Sequence, residues 1–311
     1  MTRRGFLFSS TALALAGCTS GAAYVNRAEA QYPPLGQFLT VEGGRVHYIE
    51  GGEGPTVILV HGANGNIRDW TFSMFAKLAK NHHVIAFDRP GLGYSDRATA
   101  DGDNPEVQAR ILSKAAAQLG ADDAVIVGHS WGGAVVMGWA LNHPENLKGV
   151  TVLAGATYPW GGDGVFVYRL GASDTLGGTI NGFARSYVTE TRSKQFVSDV
   201  FYPNEVPLGY RDYIGVGLAL RPDTFKWNSQ DLARLNGHLE RMAPRYGEIS
   251  LPVEILHGEA DQTVYNRVHS VPLHRDIRDS YLTVLPGVGH MIHHIEEDRV
   301  IAAIETLTHS G

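Results

Sequence analysis

The chain has 311 residues, of which 43% are hydrophobic and 19% charged, a composition that supplies a large buried core and excludes a disordered or fibrous chain. Its formal net charge of -6 is spread without long runs of one sign, which argues against nucleic acid or an anionic membrane surface as the main partner. No internal repeat is visible, and after the first few residues no apolar run is long enough to span a bilayer.

The N-terminus has its own grammar. Arg3-Arg4 precede an apolar segment from Phe6 to Ala16 that is too short for a transmembrane helix, the layout of a secretory signal. The paired arginines resemble the export signal of proteins folded before translocation. Leu15-Ala16-Gly17-Cys18 resembles a bacterial lipobox, whose cysteine is lipidated and becomes the mature N-terminus. Residues 1–18 are therefore expected to be a signal segment, with Cys18 tying an exported, periplasmic-side protein to a bacterial membrane. Ala28-Glu29-Ala30 offers an ordinary cleavage site as the alternative. Cys18 is the single cysteine, so no internal disulfide can form. Residues 19–35 are small, polar and proline-containing, and read as a tether.

Phe38 to Glu42 and Arg45 to Glu50 alternate around Gly43-Gly44 and predict a hairpin. Thr56 to Val60 predicts a buried strand ending in His61-Gly62-Ala63-Asn64-Gly65, and Arg68 to Lys80 has helical spacing. A strand over His83 to Phe87 runs into Asp88-Arg89-Pro90-Gly91-Leu92-Gly93-Tyr94-Ser95, and Pro105 to Leu119 predicts a helix. Ala124 to Val127 predicts another buried strand, which enters Gly128-His129-Ser130-Trp131-Gly132 and then a helix. Lys148 to Ala154 is one more strand. From about Tyr158 to Ile249 strand signals vanish and short helical segments take over. The strand pattern resumes at Pro252 to Gly258 and again at Leu282 to Leu285, followed by a helix from about Glu296 to Thr306. Strands alternating with helices imply crossovers and a mostly parallel sheet flanked by helices. Residues 36–157 and 250–311 are read as this α/β core, and residues 158–249 as a helical cap inserted between two core strands.

Gly128-x-Ser130-x-Gly132 between a strand and a helix is the spacing of a nucleophile elbow. The turn is too tight for side chains at its glycines, and it lifts the serine hydroxyl clear of the sheet at the positive end of the next helix. Ser130, Asp261 and His290 occur in the order nucleophile, acid, base, each just past a predicted strand, where open α/β sheets place ligands. A serine hydroxyl is a weak nucleophile, so an imidazole must take its proton, and a carboxylate must fix the imidazole tautomer. His293 and His294 are neighbours that compete with His290 for the base role, but lack its Gly-His context after a strand. Glu259 stands two residues before Asp261 and would point elsewhere. His61 is read as a support of its loop, His129 as packing beside the elbow, and Asp88 and Arg89 as holding a turn. No metal is expected among the 14 histidines, because neither H-E-x-x-H nor a Cys/His pairing occurs. No cofactor is expected either.

These motifs together resemble the α/β-hydrolase fold family over about residues 38 to 308. The matching stretches are His61-Gly62, Asp88-Arg89-Pro90-Gly91-x-Gly93-x-Ser95, the elbow, Leu256-His257-Gly258-x-x-Asp261 and Gly289-His290. The resemblance implies an oxyanion hole made of the backbone N–H groups of Ala63 and Trp131. The related haloalkane dehalogenases and epoxide hydrolases use aspartate where this chain has Ser130, and both activities are disfavoured. The expected activity is hydrolysis of small to medium carboxylic esters through an acyl-serine, with a small-molecule substrate. The alternatives are a prolyl aminopeptidase, a carbon–carbon bond hydrolase, a cofactor-free perhydrolase and a catalytically silent binding module. Aromatic residues of the insertion, such as Trp160, Phe166, Tyr168, Phe183, Tyr187, Tyr213 and Trp227, are expected to form the cap core, with a few lining a pocket.

Overall fold

Eight strands, β1 (Gln37–Val41), β2 (Gly44–Gly51), β3 (Thr56–Val60), β4 (His83–Phe87), β5 (Ala124–His129), β6 (Leu147–Leu153), β7 (Val253–Gly258) and β8 (Ser280–Leu285), form one sheet in the order β1-β2-β4-β3-β5-β6-β7-β8. The β1–β2 and β2–β4 pairs are antiparallel and the remaining neighbours parallel. This is a computed structural model, and it describes residues 21–161, 171–172 and 190–309.

The central strands are apolar on both faces because helices cover both. Ile58 and Val60 of β3 and Ile126 of β5 enter one hydrophobic cluster, while Val57, Leu59, Val125 and Val127 enter the cluster on the other face. That is the period-2 alternation of a doubly covered sheet. The helices in chain order are α1 (21–31), α2 (Arg68–Thr71), α3 (Met74–Leu78), α4 (Pro105–Gln118), α5 (Trp131–Asn142), α6 (Glu190–Phe201), α7 (Tyr210–Tyr213), α8 (Val216–Ala219), α9 (Pro222–Met242), α10 (Ser270–Asp276), α11 (Ile292–Ile295) and α12 (Glu297–His309). Asn104 caps α4 by accepting from the Glu106 N–H, with Pro105 in the first turn, where its missing donor is harmless.

The strands follow the sequence reading, and the helices depart from it in three places. The single helix expected over Arg68 to Lys80 is two, broken at Ser73, whose φ of -150° is not helical. The break frees the Phe72 ring to pack against Tyr210 and Tyr213 of the insertion. Second, the insertion between β6 and β7 is helical where it is described, but α9 is a single helix of 21 residues rather than a short segment. Because β6 and β7 are parallel sheet neighbours, the insertion, termed the cap, leaves at the C-terminal end of β6 and returns at the opposite end of the sheet to start β7. Phe166, Tyr168, Phe183 and Tyr187 lie outside the described residues, as do Arg3, Arg4 and Cys18.

Third, residues 21–31, read from composition as a tether, are helical. Their alanines favour helix, and packing supplies the rest. Tyr24 Oη donates to the Gly217 carbonyl at 3.3 Å, Glu29 pairs with Arg221 at 2.7 Å, and Ala28 is only 5% exposed. Just beyond, Arg68 Nη2 donates to the Pro33 carbonyl at 2.7 Å. Thus α1 and the irregular stretch after it bridge cap and core. Among the described residues no helix is long and apolar enough to cross a membrane. Burying a carboxylate where Ala28 meets Gly217 should break this bridge: Ala28→Asp is expected to lower stability by about 2 kcal/mol or more, read as a lower thermal midpoint. An unchanged midpoint would mean that α1 does not dock.

Candidate active site

The elbow is built by backbones that approach too closely for side chains. A Cβ on Gly128 would lie 2.4 Å from the Gly132 carbonyl, and one on Gly132 would lie 2.5 Å from the carbonyl of Val60. Ser130 between them has φ 55° and ψ -120°, a conformation that costs a non-glycine residue about 1–3 kcal/mol. Three bonds hold it there: its N–H donates to the Leu153 carbonyl at 2.9 Å, and its carbonyl accepts from Gly133 at 2.9 Å and Ala156 at 3.0 Å. Ser130 is half-buried while the residues before and after it are buried, so the elbow presents this side chain outward.

Asp261 follows β7 and His290 follows β8, and the fold brings them together. His290 Nδ1 lies 2.7 Å from Asp261 Oδ2. His257 Nε2 stands 3.2 Å from the same oxygen, while Oδ1 accepts the N–H groups of Thr263 at 2.8 Å and Val264 at 3.0 Å. Burial alone would raise this carboxyl's pKa. The His290 imidazole and the bonds from His257 and His290 outweigh it and hold the group well below the usual carboxylate range. The His290 ring packs against that of His129, the residue before Ser130, with centroids 4.8 Å apart, and His129 Nε2 donates to the His290 carbonyl at 3.1 Å. His129 thereby joins elbow to His290 loop, and burial keeps it neutral.

Ala63 sits in the turn after β3, and Trp131 opens α5, where a helix has free N–H groups. Gly62 is packed so closely on the elbow that a Cβ there would come 2.9 Å from the Ser130 Cβ. His61 supports this turn: its Nδ1 donates to the Gly62 carbonyl at 2.8 Å and its Nε2 accepts the Arg89 N–H at 3.0 Å. Asp88 does more than hold a turn. Its carboxylate accepts from Ile67 N at 2.7 Å, Tyr94 N at 2.7 Å and His47 Nδ1 at 2.6 Å, tying three segments together. Gly93 is required beside it, because a Cβ there would lie 2.0 Å from that carboxylate.

His293 and His294 are held elsewhere. Their Nε2 atoms lie 3.1 Å and 2.8 Å from Asp69, whose carboxylate also accepts from Tyr210 Oη at 2.7 Å. Burial would raise the Asp69 pKa, but His293 and His294 hold it well below the ordinary range, so this is a buried anion surrounded by three donors. Asp69, His129 and His293 each offer a possible ligand atom within 4.8 Å of the others, yet both Asp69 oxygens are already taken by these donors. Glu259 is exposed.

Several site neighbours escaped the sequence reading. Arg89 leaves its turn and lies fully buried on the Trp131 ring, 4.1 Å from its centroid. It meets Asp231 of α9 at 2.9 Å, which also holds Arg97 at 2.6 Å. The signal was present: Asn228 and Asp231 are polar residues on the same buried stripe as Phe225, Leu235 and Leu239. Polar groups on an apolar helix face must have dedicated partners.

The chain belongs to the α/β-hydrolase fold family, whose model matches residues 55–297. It is 28% identical to an uncharacterized protein of Mycobacterium tuberculosis over 289 residues, 88% of this chain and 81% of that one. It is 27% identical to a 2-hydroxy-6-oxononadienedioate/2-hydroxy-6-oxononatrienedioate hydrolase of Klebsiella pneumoniae over 270 residues, 84% of this chain and 88% of that one. The fold matches the esterase RhEst1 from Rhodococcus sp. ECU1013 with a TM-score of 0.69 at 20% identity, covering 89% of this chain and 99% of that one.

Neutral buried histidines make stability depend on pH. Burial lowers His61, His269 and His293 to about 4. Two of them accept backbone N–H groups that protonation would displace: His61 from Arg89, and His269 Nδ1 from Thr157 at 3.2 Å and Tyr158 at 3.1 Å. Between about pH 6.5 and 4 the unfolded chain binds more protons, so stability is lost as the pH drops through that window, by up to about 1.4 kcal/mol per unit for each histidine. The lowered carboxyls of Asp69 and Asp261 withdraw their stabilisation only below about pH 4. Thermal melts from pH 7.5 to 4.5 should show a flat midpoint above 7 and a steepening fall below 6.5. A midpoint independent of pH would contradict the neutral histidines.

Proposed function

We propose that this protein is a serine hydrolase of small to medium carboxylic esters. The observation that carries the reading is a strained, half-buried Ser130 at the elbow, whose neighbour His129 packs on His290, together with a His290–Asp261 pair whose carboxylate is fully engaged by donors. In this reading Ser130 Oγ attacks the ester carbonyl while His290 takes its proton, and Asp261 holds the imidazole and stabilises its charged form. The N–H groups of Ala63 and Trp131 receive the developing oxyanion. His290 returns that proton to the departing alcohol, leaving an acyl-serine; it then takes a proton from the attacking water and passes it to Ser130 Oγ as the acid leaves. No cofactor enters.

The oxyanion hole stabilises any tetrahedral adduct, so the triad does not choose between ester, amide and ketone. The resemblance to the dioate hydrolase of Klebsiella favours carbon–carbon bond cleavage as the second reading. An aminopeptidase needs a free carboxylate for the substrate ammonium. Asp231 does not meet that need, because two arginines occupy it. Asp163 and Asp174 lie outside the described residues.

Ser130→Ala should keep the fold and lower kcat by about 10⁶. His290→Ala should be comparably damaging, and His293→Ala far less so. Activity that survives His290→Ala but not His293→Ala would reverse the base assignment. For a short or aryl ester, kcat/KM should exceed that for a prolyl amide by at least about 10², or about 2.7 kcal/mol of transition-state preference. Equal rates would favour the aminopeptidase, and faster turnover of a vinylogous diketone than of any ester would favour the carbon–carbon hydrolase.

We also propose that Arg3-Arg4 direct export and that Cys18 carries a lipid anchor on the periplasmic side of a bacterial membrane. The protein should then fractionate with membranes, and Cys18→Ser should release it or stall its processing. A soluble wild-type protein beginning near Gln31 would mean that the Ala28-Glu29-Ala30 site is used instead.

A further inference from the structure

We propose that cap helix α9 sets the position of the Ala63 amide, holding the chain on both sides of it through Asp231–Arg89 and through Asn228. The inference rests on the reading of Ala63 as an oxyanion donor. The Ala63 N–H shares one rigid peptide plane with the Gly62 carbonyl and points opposite to it, so whatever fixes the carbonyl oxygen aims the N–H. That oxygen accepts from His61 Nδ1 at 2.8 Å and from Arg89 Nη2 at 3.2 Å. A cation at the carbonyl also polarises the plane and strengthens its N–H as a donor.

Arg89 takes its own position from α9. Its Nη1 donates to Asp231 Oδ2 at 2.9 Å and to Gln108 Oε1 at 2.9 Å. Burial lowers its pKa to about 10, which leaves it a cation at neutral pH. Asp231 balances two guanidinium groups, since its Oδ1 accepts from Arg97 Nη2 at 2.6 Å. The Asp231 main-chain carbonyl accepts from Trp131 Nε1 at 3.2 Å, which ties α9 to the residue of the second proposed donor as well.

One turn earlier on the same buried face, Asn228 holds the other side of Ala63. The Asn64 N–H donates to Asn228 Oδ1 at 2.7 Å, and Asn228 Nδ2 donates to Asn64 Oδ1 at 2.7 Å. Asn64 has φ 55°, a left-handed conformation that this reciprocal pair holds in place. Neutralising Arg89 and Arg97 would explain Asp231 alone. It does not explain why the next polar residue on that face is also given to the same turn. The two contacts bracket Ala63, so Arg89, Asp231 and Asn228 are positioning residues for the oxyanion donor.

The test uses the full chain with three variants: Asp231→Asn, Asn228→Leu and Arg89→Gln. Misaiming one donor should lower kcat for ester hydrolysis about 10- to 100-fold while KM stays within about threefold. Affinity for an aryl trifluoromethyl ketone should fall by the same factor as kcat. There Ser130 Oγ adds to the ketone carbon, its proton passes to His290, and the carbonyl oxygen becomes the bound oxyanion. Should Arg89→Gln not fold, the isosteric Asp231→Asn and the volume-matched Asn228→Leu carry the test. Variants that keep wild-type kcat and ketone affinity, or that lose kcat and gain KM without weaker ketone binding, overturn the clamp. If the ketone does not inhibit the wild type, or Ser130→Ala keeps its turnover, the acyl-serine reading itself fails. Inhibition of the wild type with a dead Ser130→Ala and unaffected clamp variants would discard the clamp alone.

Discussion

The backbone of Ser130 is held where a side-chain-bearing residue resists going, and much of the sheet's central region exists to keep it there. The strain of about 1–3 kcal/mol is a sizeable fraction of a domain's net stability. It persists because β5 and β6 lie side by side, so Leu153 and Ala156 can bond the Ser130 peptide groups. The glycines of the elbow are the other half of that constraint. Any Cβ at Gly128 or Gly132 would push α5 off the ends of β3 and β5.

Around this point stand four buried aspartates, each assigned a separate task by its partners. Asp261 faces His290, Asp88 ties β2, the turn before α2 and its own loop, Asp69 fixes the His293-His294 segment, and Asp231 draws the cap toward Arg89. A buried charge that loses a partner costs about 3–5 kcal/mol, more than a surface ion pair contributes. These groups therefore define geometry rather than add generic stability. The hydrophobic clusters on the two sheet faces supply the cohesion, and the carboxylates decide which loop stands next to which.

The cap is joined to the core by polar contacts as well as apolar packing. Asn66 Nδ2 donates to the Ile214 carbonyl at 2.9 Å, and Tyr246 Oη donates to the Thr157 carbonyl at 2.8 Å. With α1 laid across α8 and Arg221, the cap is fastened from its outer side too. Such directional bonds select one placement of the cap, whereas apolar area alone would tolerate sliding. That is why the surroundings of Ala63 and Trp131 are as well defined as those of the elbow.

The sequence by itself determined the sheet and pointed to the candidate site. Strand periodicity is local, and the elbow, the Asp261 turn and Gly289-His290 each announce themselves within a few residues, because tight turns admit few residue types. Cap helix length, the break at Ser73 and the helical state of residues 21–31 were not legible, because packing against distant segments decides them. The same holds for Arg89. Its motif placed it in a turn, and only the return of α9, 142 residues later in the chain, turned it toward Trp131 and Asp231. His290 was favoured over His293 by its Gly-His context after a strand, but nothing in the sequence showed what His293 would face instead. Tertiary structure separated them by giving Asp261 to one and Asp69 to the other, since a buried imidazole takes its role from the carboxylate it faces.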